Sequence, residues 1–249
     1  AANSVALYLG RVWPFLVGGV REKRQRRRRP LLALGRAIVT VALGLTLSRG
    51  ALLLAIPASI LAMGWRAGGR YRRLAVGLVL AGGLALLPAL QMPRFAGLLD
   101  LKAGTTFFRL KLWRSSLRII REHPWLGIGP GNFSGVYRTR FILPSAWEEF
   151  NLGHAHNLLL DHWTRLGLPG VIAALGVQIA FWRRMSRLKD RDGLTLGLTG
   201  AMAGLLAHGL VDNAVFFPDL ALSFFLVLAF AQLGGAEAVG HREGAARGI

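Results

Sequence analysis

Four short stretches hold the side chains able to do chemistry: LTLSRGALLLA around Arg49, TTFFRLKLWRSSLRIIRE (Thr105–Glu122), LGHAHNLLLDHW (Leu152–Trp163) and HGLVDN (His208–Asn213). The second reads as an amphipathic helix. At about 100° per residue, Lys111, Arg114, Arg118 and Arg121 share one arc, while Phe108, Leu110, Leu112, Trp113, Leu117, Ile119 and Ile120 fill the opposite one. The basic stripe suits lipid phosphates at a membrane surface. Arg109 does not belong to that stripe. It projects from the apolar arc, and a guanidinium directed inward is costly unless it meets an anion or a carboxylate. Its donor fork matches phosphate oxygens.

The histidines suggest proton transfer more than metal chemistry. His154 and His156 form a His-x-His pair, but zinc ordinarily takes three protein ligands and no third is evident nearby in sequence, so the reading is that no metal is bound. A neutral imidazole is suited to accepting a proton from a hydroxyl. In HGLVDN, His208 and Asp212 are four residues apart and share a helical face, as a structural pair would.

The stretch HPWLGIGPGNF (His123–Phe133) imitates a nucleotide-binding loop, with glycines at 127, 129 and 131. The third glycine comes one residue early, Pro130 interrupts the turn, and no Lys-Ser or Lys-Thr follows, which excludes both dinucleotide and P-loop fingerprints. The turn ends the preceding helix at His123-Pro124. Its free backbone N–H groups are expected to offer donors to an anion. Beyond it, Tyr137 precedes a second basic pair, Arg138 and Arg140.

The elements that position these groups follow from composition. Of 249 residues 53% are hydrophobic, yet the formal charge is +19 and the isoelectric point is about 11.8. Arginines sit in blocks between long apolar runs, which is the pattern of an integral membrane protein and not of a nucleic-acid binder. There is no cysteine, hence neither disulfide nor thiolate metal site. Seven apolar segments are predicted: Ser4–Val20, Leu31–Leu47, Ala51–Trp65, Leu74–Gln91, Asn157–Trp182, Leu194–Val211 and Leu220–Leu233. The fold class is therefore an all-α integral membrane protein of about seven transmembrane helices. Residues 1–91 hold the first four, 92–156 form a long outer loop with the amphipathic helix and glycine turn, 157–236 hold the last three, and 237–249 form a tail.

REKRQRRRR (Arg21–Arg29), RAGGRYRR (Arg66–Arg73), RRMSRLKDR (Arg183–Arg191) and the tail then fall on one face, cytoplasmic by the positive-inside rule. The opposite face carries Ser48–Gly50, residues 92–156 and Asp212–Asp219. The long loop has nine basic residues against four acids, and the simplest reason for that excess is an anionic ligand. The chain starts at Ala1 with no visible signal peptide, and reads as a fragment or a processed form of a longer protein with further spans upstream.

Taken in order, LTLSRGALLLA, RLKLWRSSLRIIREHPWLGIGPGNF with Tyr137, HAHNLLLDHWTRLGLPG and HGLVDN resemble the O-antigen ligase/polymerase family from about Ala42 onward. The resemblance implies a bacterial inner-membrane glycosyltransferase, multi-pass, with its active site on the periplasmic face. Such an enzyme moves a glycan from undecaprenyl pyrophosphate to a lipid A core, glycan or protein acceptor, without metal, nucleotide or other cofactor. Matched to the family motifs, Arg49 and Arg109 would hold the pyrophosphate and His156 would sit by the acceptor hydroxyl. Arg138, Arg140, His154, Asn157 and Asp212 are the further substrate-binding candidates. Membrane lipids are expected partners and nucleic acid is not. One departure matters: where many members have Glu two residues before a glycine, this chain has Arg165 before Gly167. A transporter or flippase of a lipid-linked glycan is the alternative, although no internal repeat supports it.

Overall fold

The computed structural model describes residues 2–19, 29–91, 95, 100–188, 191–212 and 215–233. No strand occurs among the described residues. The principal helices are α1 (Ala2–Gly18), α2 (Arg29–Leu45), α3 (Ile56–Ala67), α4 (Arg70–Leu86), α5 (Gly104–Glu122), α6 (Leu158–Arg187), α7 (Gly193–Gly209) and α8 (Pro218–Leu233). A π-helical turn, Ala51–Ala55, leads into α3, and another, Tyr137–Phe141, follows the short helical turn Phe133–Val136. Among the described residues, a helix occupies most of each of the seven predicted apolar segments, and the amphipathic segment is α5. By length and composition only α6, at 30 residues, is able to cross a bilayer by itself among the described residues. Pro30–Leu45, Ala51–Ala67 and Pro218–Leu233 are apolar but shorter. Of the seven predicted crossings, one is thus long and apolar enough to be a span among the described residues.

The chain divides into two compact units. The first comprises Ala1–Ala81, Ile179–His208 and Val215–Ile249. Its packing relies on a run of small residues along α7. A Cβ on Gly197 would lie 2.6 Å from the Phe15 ring, one on Gly200 2.8 Å from the Met63 side chain, and one on Gly204 2.4 Å from Ser59 Oγ. Such a run lets helix backbones approach closely where apolar burial gives little selectivity. Ser59 Oγ in turn donates to the Gly200 carbonyl at 2.8 Å.

Arg66, Arg184 and Arg191 of this unit cap helices. Helix C-termini leave carbonyls without intrahelical donors and carry partial negative charge, so guanidinium groups are favoured there. Arg66 donates to the Met185 and Leu188 carbonyls at the end of α6. Arg191 donates to Ala67 at the end of α3 (3.0 Å), and Arg184 to Ala231 and Gln232 at the end of α8 (3.2 and 3.1 Å). Two of the basic segments recognised in the sequence, Arg66–Arg73 and Arg183–Arg191, therefore meet at one end of this unit. The Arg21–Arg28 block and the tail from residue 234 lie outside the described residues.

The second unit comprises Gly82–Gln178 and Gly209–Ala214. It takes in the predicted outer loop, the first half of α6 and the chain that follows α7. Its core is Leu112 and Ile119 of α5 with Phe133, Tyr137, Phe141 and Ala155. The Phe133 and Tyr137 rings stack with centroids 5.8 Å apart. The buried side of α5 is not the predicted one throughout: Leu110 and Leu117 are exposed, whereas Ser115 and Ser116 are fully buried. The serines manage this because each hydroxyl has a carbonyl acceptor, Phe141 for Ser115 (2.7 Å) and Leu112 for Ser116 (2.9 Å), which removes the penalty of burying an unpaired hydroxyl.

The glycine turn is explained by α6. This helix breaks at Gly167 (φ 66°, ψ −162°), a conformation available essentially to glycine alone. Pro169 has no N–H, so the Arg165 carbonyl lacks its i+4 donor. The turn replaces it: Gly129 N–H donates to Arg165 (3.0 Å) and Ile128 N–H to Thr164 (2.8 Å), while Leu168 N–H donates to Pro124 (3.0 Å). The Trp163 indole also donates to Pro124 O at 3.1 Å. The amides expected to receive an anion are thus consumed by a helix break, which corrects that reading. A Cβ on Gly167 would lie 2.1 Å from Trp125 O. Gly167→Ala is expected to destabilise the protein by at least about 1–3 kcal/mol from backbone conformation alone, with the clash added, read as a lowered Tm in detergent.

Candidate functional site

Three side chains from two distant stretches meet in the second unit. His156 lies in the loop between the Pro144–Glu149 3₁₀ turn and α6, and its Nδ1 is 2.9 Å from Asp212 Oδ1. Asp212 is almost completely buried, and the His156 side chain keeps 23% of its surface. The His154 ring stands beside them, its centroid 4.0 Å from that of His156. Asp212 thus has a partner 56 residues away in sequence.

The loop is held in a demanding conformation. His156 has φ 46°, in the left-handed region that non-glycine residues seldom occupy and that clusters at functional sites. Several contacts keep it there. The Trp113 indole of α5 reaches the His156 carbonyl (3.4 Å). The His156 amide donates to His154 Nδ1 (3.3 Å). Asn157 then caps α6, its Oδ1 accepting from Leu160 N–H (3.0 Å) while its Nδ2 donates to the Leu210 carbonyl (2.9 Å). One amide side chain thereby fixes the helix start, the histidine loop and the stretch leading to Asp212.

A second brace was not foreseen. Asp161 is fully buried, and its Oδ1 accepts from Arg165 Nε (2.9 Å) and from the Ala155 amide (3.4 Å). Arg165 also donates to the Gly153 carbonyl at 2.8 Å. Arg165 and Asp161 together therefore tie the backbone on both sides of His154 to α6. The i, i+4 spacing of Asp161 and Arg165 was the available sequence signal.

Arg109 is directed as its place on α5 predicted. It is half-buried, and that desolvation lowers its pKa, while the carboxylates near enough to oppose the shift are Asp212 and Glu149. Arg109 and Trp113 are one turn apart on α5, so the face that braces His156 also presents the guanidinium. Arg138 and Arg140 lie elsewhere on this unit, exposed on the π-helical turn. Arg140 pairs with Glu122 at 3.3 Å and stands over the Phe141 ring at 5.5 Å. Arg49 belongs to the first unit, in the first turn after Ser48. Ser48 Oγ donates to Asn3 Oδ1 at 2.6 Å. The preceding Leu47 has φ 46°.

The tautomers follow from the hydrogen bonds. A neutral His156 facing a carboxylate through Nδ1 carries its hydrogen there, which leaves the Nε2 lone pair to accept a proton. Burial pushes the His154 pKa down to about 3, and His156, Arg165 and Arg109 add to that effect while Asp212 opposes it. The unfolded value is near 6.5, so between about pH 6.5 and pH 3 the unfolded chain binds the extra proton and acid favours unfolding. Thermal stability is expected to hold above pH 6.5 and to fall through that interval. His154→Gln is expected to flatten the slope in melts followed by tryptophan fluorescence.

No curated protein matches the chain. The sequence model of the O-antigen ligase family matches residues 34–175. That stretch holds Arg49, α5, the glycine turn, His154 and His156, and ends before Asp212. Covering more than half of the chain, it shows that this protein belongs to the O-antigen ligase family, membrane proteins associated with O-antigen ligase or polymerase-type glycan transfer.

Proposed function

We propose that the protein transfers a glycan from a polyprenyl pyrophosphate carrier, of the undecaprenyl type, to an acceptor hydroxyl on the outer face of the bacterial inner membrane. The observation that carries this reading is the His156–Asp212 pair beside Arg109. In the proposed step the acceptor hydroxyl lies at His156 Nε2 and gives up its proton as its oxygen attacks the anomeric carbon. The bond from that carbon to the pyrophosphate oxygen breaks, and the lipid pyrophosphate leaves with the electron pair. Asp212 orients the imidazole and stabilises its protonated form. Arg109 opposes the charge that develops on the phosphate oxygens. Arg49 keeps the pyrophosphate role that the family motif implies. Asn157, His154, Asp161 and Arg165 position the loop. Arg138 and Arg140, both exposed and the latter paired with Glu122, fit contacts with outlying glycan or lipid headgroups better than with the reacting centre.

The membrane reading is supported by apolar surface that water would not tolerate in such amounts. Leu31, Leu34, Ile38, Val41 and Leu45 form an exposed stripe along α2, and Leu222, Phe225, Phe230 and Leu233 are exposed on α8. If the seven apolar helices each cross, the positive-inside rule puts the arginine-capped helix ends of the first unit on the cytoplasmic side. The test is incubation of the purified full chain with lipid-linked glycan and an acceptor. Glycosylated product and free polyprenyl pyrophosphate in equal amounts are expected. Movement of intact lipid-linked glycan across vesicles, with no product formed, would instead establish a flippase.

A further inference from the structure

We propose that His154, His156 and Asp212 form an inhibitory site for a transition-metal ion of the zinc class. One ligand atom from each residue lies within 4.8 Å of the others. Nitrogens and oxygens sharing a tetrahedral zinc at about 2.1 Å sit about 3.4 Å apart, so a small closure of the trio around the ion is sufficient. Two imidazoles and a carboxylate are an established zinc donor set, with the fourth position left to water. The sequence offered only the His-x-His pair. The fold adds the third ligand by placing Asp212 Oδ1 2.9 Å from His156 Nδ1, so this side of the site is assembled before the ion arrives.

Other charges set the strength of the site. Arg109 and Arg165 both act on His154, and these two cations repel the ion while Asp212 attracts it. Capture of His154 through its acceptor nitrogen also exchanges the 3.3 Å hydrogen bond from the His156 amide for a metal bond. Occupancy is therefore reversible by a chelator.

Inhibition follows from imidazole chemistry and rests on the proposed role of His156 as base. A neutral imidazole has one ring-nitrogen lone pair. If the ion takes Nε2, that lone pair is used directly. If it takes Nδ1, the ring hydrogen moves to Nε2, which then cannot accept a proton. Either mode removes the base without moving the backbone.

The experiment titrates Co2+, a spectroscopic stand-in, into the full-length protein in detergent micelles with no glycan present, then displaces it with Zn2+. A single saturable visible absorption band is expected, bleached by zinc. His154→Gln and Asp212→Asn are each expected to weaken binding by at least about 10- to 100-fold. Asp212→Glu, which keeps a carboxylate, retains the band, and His123→Gln at the end of α5 leaves the affinity unchanged. No band, or equal affinity in every variant, overturns the site. In the transfer assay zinc stops wild-type turnover and a chelator restores it. Binding with undiminished turnover overturns the inhibition and the assignment of His156 as base, whereas the absorbance result stands independently of that reaction.

Discussion

Arg109→Ala is expected to reduce glycan transfer by about 100- to 1,000-fold, roughly 3 kcal/mol or more of lost transition-state stabilisation, by comparison with removal of other preorganised oxyanion donors. The argument begins with its place on α5. Arg109 lies on the side of the helix that carries Ser116 and Ile120, both buried, so its side chain leaves the basic stripe and enters the protein. Burial disfavours its charge, and the fold tolerates that cost while Asp212 and Glu149 stand near. A departing pyrophosphate adds an anion to the same place, and the cation then stabilises the product side of the step more than the reactant side. Arg109→Lys keeps the charge without the fork and is expected to recover only part of the rate. The loss should appear in kcat, measured as product formed per enzyme at saturating lipid-linked glycan, with Tm recorded for each variant. Full turnover by Arg109→Ala would remove this residue from the reaction.

His156→Ala is expected to cost about 100- to 10,000-fold, the range for removal of a positioned general base. Asp212→Asn separates the two contributions of the pair. The amide preserves shape, but it can present an N–H to Nδ1 and so favour the tautomer whose hydrogen sits on Nε2, the wrong form for a base. Its rate should fall between wild type and His156→Ala, and combining the two changes should cost little more than His156→Ala alone, because the residues act as a unit. Additive losses would show instead that Asp212 works elsewhere, for instance as the counter-charge of Arg109. That outcome would reassign it while leaving His156 in place.

The helices were readable because apolar period and arginine punctuation both survive in a single sequence. The inward path of Arg109 was readable too, since one misplaced charge on an amphipathic wheel is conspicuous. Contacts made across sequence distance were not. Asp212 was matched to His208 by i, i+4 spacing, and nothing in the chain announces that the loop at 156 reaches it. The burial of Ser115 and Ser116 was not foreseen, since the acceptor of Ser115, the Phe141 carbonyl, lies 26 residues away. The glycines at 127 and 129 were recognised as a special turn, but their partner was the backbone of another segment freed by Gly167 and Pro169. Local pattern reveals that donors exist; topology decides what they bind.

The exchange of backbone hydrogen bonds between the glycine turn and the break in α6 also restricts indels. Ile128 and Gly129 serve adjacent carbonyls on α6, while Pro124 accepts from the far side of the break. One residue inserted or deleted between 124 and 129 would put every donor out of register with its acceptor. This stretch should therefore keep a fixed length, and changes in loop size must accumulate outside it.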